Sequence, residues 1–302
     1  MYKAIAANKR NTVIIIGLFV GLLTAIAVWW GNVSGNGSSA VMIVLFVLGY
    51  TVLQYFVAGS LAVAMSGAIQ IEKKDHPRLW NTVENLAISQ GMPMPKIYII
   101  DDPAPNAFAT GRNPKHAVVA ATTGLLDMMD DSELEGVMAH EMSHVKNYDI
   151  LVSTIVFGLV SAIGILADMA LRMAMWSGMF GGGDRDRDRG ESNAFTIVLI
   201  VVGIVASIIA FLIGPLVSAA VSRQREYLAD ASGAEITRYP EGLASALNKL
   251  GQYGRPMRKQ SKSMAHMYIA DPIKPGLVER AFSTHPPLGD RIARLKKIGS
   301  SF

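Results

Sequence analysis

The stretch Val137–Asp149, VMAHEMSHVKNYD, places polar groups just before an apolar run that begins ILVSTIVFGLV at Ile150. His140 and His144 lie four positions apart, and Glu141 directly follows the first of them. Residues four apart share one face of an α-helix, so the two imidazoles can bind one ion. This HExxH spacing is typical of helices whose histidines bind Zn²⁺ while the glutamate serves as general base. The alternative is a pair of helix histidines with ordinary hydrogen bonds.

Helical periodicity continues on both sides of this motif. Apolar residues recur there at helical spacing: Leu134, Val137, Met138, Met142 and Val145. Asp130 and Asp131 supply cap oxygens before them, and Ser132 with Glu135 forms a capping-box pattern. We therefore predict a single helix that carries the whole motif.

A catalytic zinc usually takes three protein ligands and keeps one position open, so a third ligand is needed. The segment SRQREYLADASGAE, from Ser222 onward, carries Glu226 and Asp230 four positions apart. Glu226 can complete the ligand set, and Asp230 can accept the other ring N–H of a ligand histidine and fix its tautomer. The alternative is a charged helix face with ordinary i,i+4 pairs.

The composition points to a membrane protein. Hydrophobic residues make up 51% of the 302 positions and charged residues only 17%, whereas soluble domains carry about 25% charged residues. Four long runs contain no charge: Val13–Trp30, Ala40–Ile71, Ile150–Ala167 and Ala194–Ser222. About 20 apolar residues span a bilayer, so we predict four transmembrane helices. Buried core helices and, for the first run, a cleaved signal peptide are the alternatives.

The charges that flank these runs predict their orientation. The first connection, GNVSGNGSS, is uncharged, while the opposite flanks are basic: Lys3, Lys9, Arg10, Lys73, Lys74, Arg78, Arg223 and Arg225. Basic residues stay on the cytoplasmic side, so we expect both termini and both polar regions there, next to anionic lipid. We see no aromatic-basic pattern typical of nucleic-acid binding. The chain has no cysteine, which excludes a disulfide framework and a thiolate metal site.

The polar regions predict one cytoplasmic domain built from two pieces, because each piece is small for a domain of its own. We divide the chain into 1–71, a membrane hairpin; 72–149; 150–222, a second hairpin with a flexible loop at 177–193; and 223–302. In the first polar region, HPRLWNTVENLAISQGM predicts a helix. Three short segments after it predict the strands of a small sheet: PKIYII, NAFATGR and HAVVAATTGLL.

Four motifs together resemble one family. HEMSH, SRQREYLAD, NAFATG and FSTHPPLGDR, set around four apolar spans, are similar to the HtpX family of membrane-bound zinc endopeptidases, relatives of the CAAX-prenyl proteases. The resemblance implies a mainly α membrane protein with four transmembrane helices and a cytoplasmic α+β zincin-like (gluzincin) protease domain. It also implies one Zn²⁺ per chain, bound by His140, His144 and Glu226, with Glu141 as catalytic base. The implied role is quality control in the bacterial inner membrane, where the partners are misfolded or damaged membrane proteins and the lipid bilayer. Cooperation with other membrane proteases is left open.

Further residues are candidates for contact with substrate. The resemblance implies that His285 and Arg291 face the peptide, where a positive or hydrogen-bonding group would stabilise a developing oxyanion. The alternative is a His-Pro turn with the arginine packed on the next helix, and His266 is the rival histidine. We also expect Asn106, Ala107, Phe108 and Ala109 to form an edge strand that pairs with an extended peptide, against the alternative of an interior strand.

Two other classes of function remain as alternatives. A metal transporter would place ionisable residues within several spans, and here only Asp168 and Arg172, near the end of the third span, qualify. A zinc-stabilised scaffold without proteolytic activity would have no use for Glu141. The low-complexity loop GGGDRDRDRG, residues 181–190, is predicted to be a solvated turn, and the resemblance assigns it no role.

Overall fold

The structure of the protein is a computed structural model that describes residues 2–33, 35, 37–180, 223–253, 256–259, 264–270 and 285–300. Its helices are α1 (Tyr2–Val33), α2 (Gly37–Ser66), α3 (Pro77–Ser89), α4 (Thr123–Met128), α5 (Asp131–Lys146), α6 (Asp149–Phe180), α7 (Arg223–Thr237), α8 (Pro240–Gln252) and α9 (Leu288–Gly299). Its strands are β1 (Ile69–Gln70), β2 (Lys96–Ile100), β3 (Ala107–Thr110) and β4 (Val118–Thr122). The described part of the chain is therefore mostly helical with a small sheet, as the sequence predicts.

Two helices in this part of the chain are long and apolar enough to cross a membrane. They cover Lys3–Trp29 of α1 and Ala40–Ser66 of α2, and many of their apolar side chains are exposed, such as Met42 at 70%. Apolar surface of this extent is unfavourable in water, whereas it is the usual surface of a helix that faces lipid. The third predicted span lies in α6, whereas the fourth predicted span and the 181–190 loop lie outside the described residues.

The sheet has the order β1-β2-β4-β3, with β2 and β4 parallel and the two outer pairs antiparallel. The three predicted strands are present, but the third is shorter than predicted. Thr122 ends it, because its hydroxyl accepts a hydrogen bond from the backbone N–H of Leu125 and so caps α4. Helix α3 buries Leu79, Val83, Leu86 and Ala87, which confirms the predicted periodicity.

The capping box of α5 lies two residues before the predicted one. Asp130 accepts a hydrogen bond from the backbone N–H of Glu133, and the Glu133 side chain accepts one from the backbone N–H of Asp130. Ser132 is already inside the helix, where its hydroxyl donates to Asp130. Asp130 rather than Ser132 is the N-cap residue, because a charged carboxylate at this position is also stabilised by the positive end of the helix dipole. Lys249 and Ser245 of α8 donate to Glu133 and so fix this end of α5.

Helix α5 lies at the centre of the fold, between the sheet and helices α7 and α8. Two glycines let its neighbours approach closely. A Cβ at Gly136 would lie 2.7 Å from the backbone nitrogen of Leu243 in α8, and one at Gly233 of α7 would lie 3.2 Å from the backbone nitrogen of His140. This close packing sets the distance at which α7 can present side chains to the histidines of α5.

Candidate metal centre

Three side chains from two helices converge on one point. His140 and His144 project from one face of α5, and Glu226 reaches them from the first turn of α7. One ligand-type atom from each lies within 4.8 Å of the others. The described structure thus brings together the three residues that the sequence grouped.

The separations between these atoms suit a tetrahedral zinc site. The two histidine Nε2 atoms are 3.1 Å apart. Oxygens of Glu226 lie 3.7 Å from Nε2 of His140 and 3.5 Å from Nε2 of His144. Ligand atoms at zinc bond lengths near 2.1 Å and tetrahedral angles are separated by roughly 3.4 Å. These residues therefore fit Zn²⁺ with three protein ligands and one open position.

Each of the two histidines is held by a carboxylate on its other ring nitrogen. His140 Nδ1 lies 3.0 Å from Asp230 Oδ1, and His144 Nδ1 lies 2.9 Å from Asp149 Oδ2. Such a carboxylate fixes the ring orientation and leaves Nε2 free to face a metal. The sequence predicted this contact for Asp230, whereas it assigned no role to Asp149.

Arg291 holds the carboxylate of Asp230 in place. Its Nε and one terminal nitrogen donate to the two carboxylate oxygens of Asp230 at 2.9 and 2.7 Å. Its other terminal nitrogen lies 3.6 Å from Glu226 Oε2. The side chain is fully buried, and it is not among the residues that line the cleft. The structure thus places Arg291 against the carboxylate that orients His140, and its contact with substrate stays a prediction.

Glu141 is buried in the cleft beside the three converging groups. Burial raises the pKa of Glu141 to about 7, and the negative charge of Glu226 acts in the same direction. A general base is most effective when its pKa lies near the working pH. The environment of this carboxyl group therefore suits proton transfer in neutral solution.

The electrostatics favour the metal-binding forms of two of the three converging residues. Burial raises the pKa of Glu226, but His285, His144 and Arg291 outweigh it, so the pKa lies well below the usual range. Burial lowers the pKa of His140. Burial also lowers the pKa of His144, but the hydrogen bond to Asp149 and nearby carboxylates raise it to about 9. A cation therefore competes with a proton at His144.

Both candidate substrate histidines face this cleft. His285 Nδ1 lies 3.2 Å from Glu226 Oε2. His266 Nε2 lies 3.1 Å from the carbonyl oxygen of Ser153 in α6, and both imidazoles line the cleft. The sequence favoured His285 over His266, and the structure places both near Glu141.

The predicted substrate strand lies at the end of the sheet, but its outer side is partly covered. The backbone N–H of Ile269 donates to the carbonyl of Ala107 at 3.0 Å, and Phe108 forms an antiparallel bridge with Tyr268. The Asn106 side chain donates to the Ala270 carbonyl at 3.0 Å. Thus the chain's own residues 268–270 lie where the sequence expected unpaired groups.

Comparisons with known proteins identify the family. The family described as Peptidase family M48 matches residues 73–299. The protein "Protease HtpX homolog" of Tropheryma whipplei (strain Twist) is 55% identical over 302 residues, which is all of both chains. The protein of the same name from Caldanaerobacter subterraneus subsp. tengcongensis is 44% identical over 301 residues, or 99% of this chain and 98% of that one.

A solved structure shares the fold. The crystal structure of S. mikatae Ste24p aligns with a TM-score of 0.51 at 19% identity, over 98% of this chain and 67% of that one. At this identity the likeness concerns the fold alone. Because the family matches most of the chain and the relatives match its full length, the chain belongs to peptidase family M48, among the HtpX membrane zinc metalloproteases.

Proposed function

We propose that this protease hydrolyses peptide bonds of misfolded or damaged membrane proteins at the cytoplasmic face of the bacterial inner membrane. One observation carries the proposal: three donor atoms of two packed helices lie within 4.8 Å of one another, with the buried carboxyl group of Glu141 beside them. A structural zinc site is closed by four protein ligands. This site offers three and adds a base, so it is built for catalysis.

The ligands in this proposal are His140, His144 and Glu226. Zinc, when bound, supplies a Lewis acid that polarises the scissile carbonyl and makes a neighbouring water more acidic. Glu141 takes a proton from the attacking water and returns it to the leaving amine, which its pKa near 7 allows in both directions. His285, which lines the same cleft, donates a hydrogen bond to the carbonyl oxygen that gains negative charge.

Arg291 has a positioning role in this proposal. It holds Asp230 through two hydrogen bonds, and Asp230 in turn orients His140. Loss of Arg291 would leave a buried carboxylate without its cation, which is costly in a low-dielectric interior.

Substrate binds as an extended strand along β3 in this proposal. The Ala107 carbonyl points away from β4, because it accepts the N–H of Ile269. In a strand, backbone groups alternate in direction, so those of Ala109 point the same way, and Ala109 lines the cleft. A peptide paired with these groups would run past Glu141, and it would displace residues 268–270. Backbone pairing of this kind is largely independent of sequence, which suits a protease that meets many unfolded segments.

We further propose four spans with both termini in the cytoplasm and one protease domain assembled from residues 72–149 and 223–302. The charge asymmetry of the flanks supports the orientation, and the packing of α5 against α7 and α8 supports the single domain.

Single cysteines provide a test of this orientation, because the chain has no cysteine of its own. An impermeant thiol reagent should label Ser38→Cys in intact cells and Asp101→Cys only after permeabilisation. Labelling of position 101 from outside would overturn the orientation.

The catalytic assignment is tested with purified full-length protein and unfolded casein. We expect about one zinc per chain and a loss of cleavage with a chelator. Glu141→Gln should keep its zinc and lose about 10²–10⁴-fold in rate, because it removes the general base. Glu135→Gln is the matched control, since Glu135 is an exposed glutamate of the same helix. Near-normal cleavage by Glu141→Gln would overturn the mechanism, and zinc without any cleavage by the unaltered protein would favour a scaffold.

A further inference from the structure

A second cavity, of about 610 Å³, lies where α1, α2, the loop after β3 and the start of α6 meet. This volume falls within the range of about 300–1,000 Å³ that small-ligand sites occupy. The walls are of two kinds. The cationic wall consists of Lys9, Arg112 and Lys115, and the main apolar side chains are Val13, Ile16 and Leu151.

No aspartate or glutamate of the described ranges lines this cavity. Its three cations therefore lack an acidic counterpart among those residues. Within the part of the chain that the structure describes, none of them forms an ion pair with a carboxylate. Lys9 Nζ instead lies 4.5 Å from the ring centre of Tyr148, and the Arg112 guanidinium lies 5.3 Å from that of Phe56. Three like charges around one space repel each other, so the cavity favours an anion.

The position of the cavity distinguishes a lipid from a soluble anion. Lys9 lies one turn before Val13, where the uncharged run of α1 begins. Ile16 lies about 10 Å from Lys9 along the axis of the same helix. The cavity therefore passes from a cationic mouth to apolar walls inside a candidate membrane span. A soluble anion would satisfy the cations and leave the apolar walls uncovered, whereas a phospholipid satisfies both.

We infer that this cavity binds the phosphate of an anionic phospholipid, with an acyl chain against Val13, Ile16 and Leu151. Phosphate accepts hydrogen bonds from guanidinium and ammonium groups together, and basic pockets between membrane helices take such headgroups. The site is separate from the cleft, and its existence does not depend on peptide hydrolysis. A lipid held here would fix the loop of Arg112 and Lys115 against α1.

The test is the affinity of purified full-length protein, in neutral detergent, for fluorescent phosphatidylglycerol. We expect Lys9→Gln/Arg112→Gln to bind it about 30-fold more weakly, since each basic residue near an anionic headgroup contributes roughly fivefold in affinity and the variant removes two of them. Lys3→Gln/Arg10→Gln is the matched control, because it removes the same charges from exposed positions of α1 that do not line the cavity. It should bind as the unaltered protein does. Zinc content, measured on every variant, reports that each remains folded.

Two further probes separate the sources of phosphate. Inorganic phosphate should fail to compete at concentrations where unlabelled phosphatidylglycerol displaces the probe, and phosphatidylcholine should compete weakly. Equal losses in the cavity and control variants would show only diffuse surface attraction and would overturn the site. Competition by inorganic phosphate as strong as that by the lipid would overturn the assignment to a phospholipid. Lys115→Gln alone, an exposed change, should weaken binding in the same direction.

Discussion

A histidine that binds a metal needs a partner on its outward ring nitrogen, because that partner decides the tautomer and the ring orientation. The two histidines of α5 obtain this partner from opposite sides. Asp230 serves His140 and is held by Arg291, whereas Asp149 serves His144 from the first residue of α6. In the proposed metal centre, His144 is therefore oriented by a residue at the junction between the protease region and a predicted span.

Asp149→Asn tests this dependence. The amide keeps the shape of the side chain but carries no charge, and it can present N–H rather than oxygen to His144. We expect zinc affinity to fall about 10–100-fold, the usual cost of losing such an orienting carboxylate. The measurement is zinc retention against a graded chelator. Asp131→Asn is the control, since Asp131 is 90% exposed and lies at the far end of α5. Equal retention in both variants would show that Asp149 does not orient His144.

The sequence could predict which site residues share a helix face, because their spacing is helical. It could not predict a residue that reaches the site through a turn. His140 with His144, and Glu226 with Asp230, are each four apart on one helix, so their shared face is visible in the sequence. Asp149 is five positions after His144, which would place it on another face of a continuous helix. The helix instead ends before Tyr148, whose backbone adopts a positive φ of 62°. This left-handed residue changes the direction of the chain, and the spacing of apolar residues in the sequence does not predict it.

At the scale of elements, β3 is an edge strand of the sheet, yet its outer side is partly covered by residues 268–270. The sequence predicted the strand from its composition and boundaries. It could not predict that Tyr268 and Ile269 pack along its outer side, because that contact joins segments about 160 residues apart, as in the hydrogen bond between Asn106 and Ala270. If substrate takes this same edge, residues 268–270 must leave it before cleavage.

A disulfide between Ala107→Cys and Ile269→Cys tests this displacement. The Ile269 N–H donates to the Ala107 carbonyl, and the antiparallel bridge between Phe108 and Tyr268 places Ala107 opposite Ile269. Opposed residues of antiparallel strands have Cα atoms about 4.5–5.5 Å apart, a separation that a disulfide accepts. We expect the oxidised protein to keep its zinc and to lose about 10²-fold in casein cleavage, because the peptide cannot be positioned. A phosphine reductant should restore the rate.

The single variants Ala107→Cys and Ile269→Cys control for the substitutions themselves, and the absence of native cysteine leaves no other disulfide to form. Unchanged cleavage in the oxidised double variant would mean that the peptide docks elsewhere.

At the scale of the whole molecule, the N-terminal helix reaches the metal centre. The family match begins at residue 73, after α1 and α2. Nevertheless, the Asn8 side-chain amide donates to the Asn147 carbonyl at 2.9 Å and to Asp149 Oδ1 at 2.5 Å. Arg225, which directly precedes Glu226, donates to Asn8 Oδ1 at 3.3 Å. One buried amide of α1 thus connects the two helices that carry the proposed zinc ligands.

Asn8→Leu removes these hydrogen bonds and keeps a side chain of similar size. The buried oxygen of Asp149 then loses a donor, and a buried acceptor without a partner is unfavourable, so Asp149 is free to turn away from His144. We expect zinc affinity to fall about tenfold, the lower end of the cost of direct loss of an orienting carboxylate. Chelator competition measures it on the full-length protein. Asn11→Leu, the same change about one turn along α1, should retain zinc as the unaltered protein does. If Asn8→Leu binds zinc normally and cleaves casein at the normal rate, α1 contributes nothing to the metal centre beyond its place in the membrane.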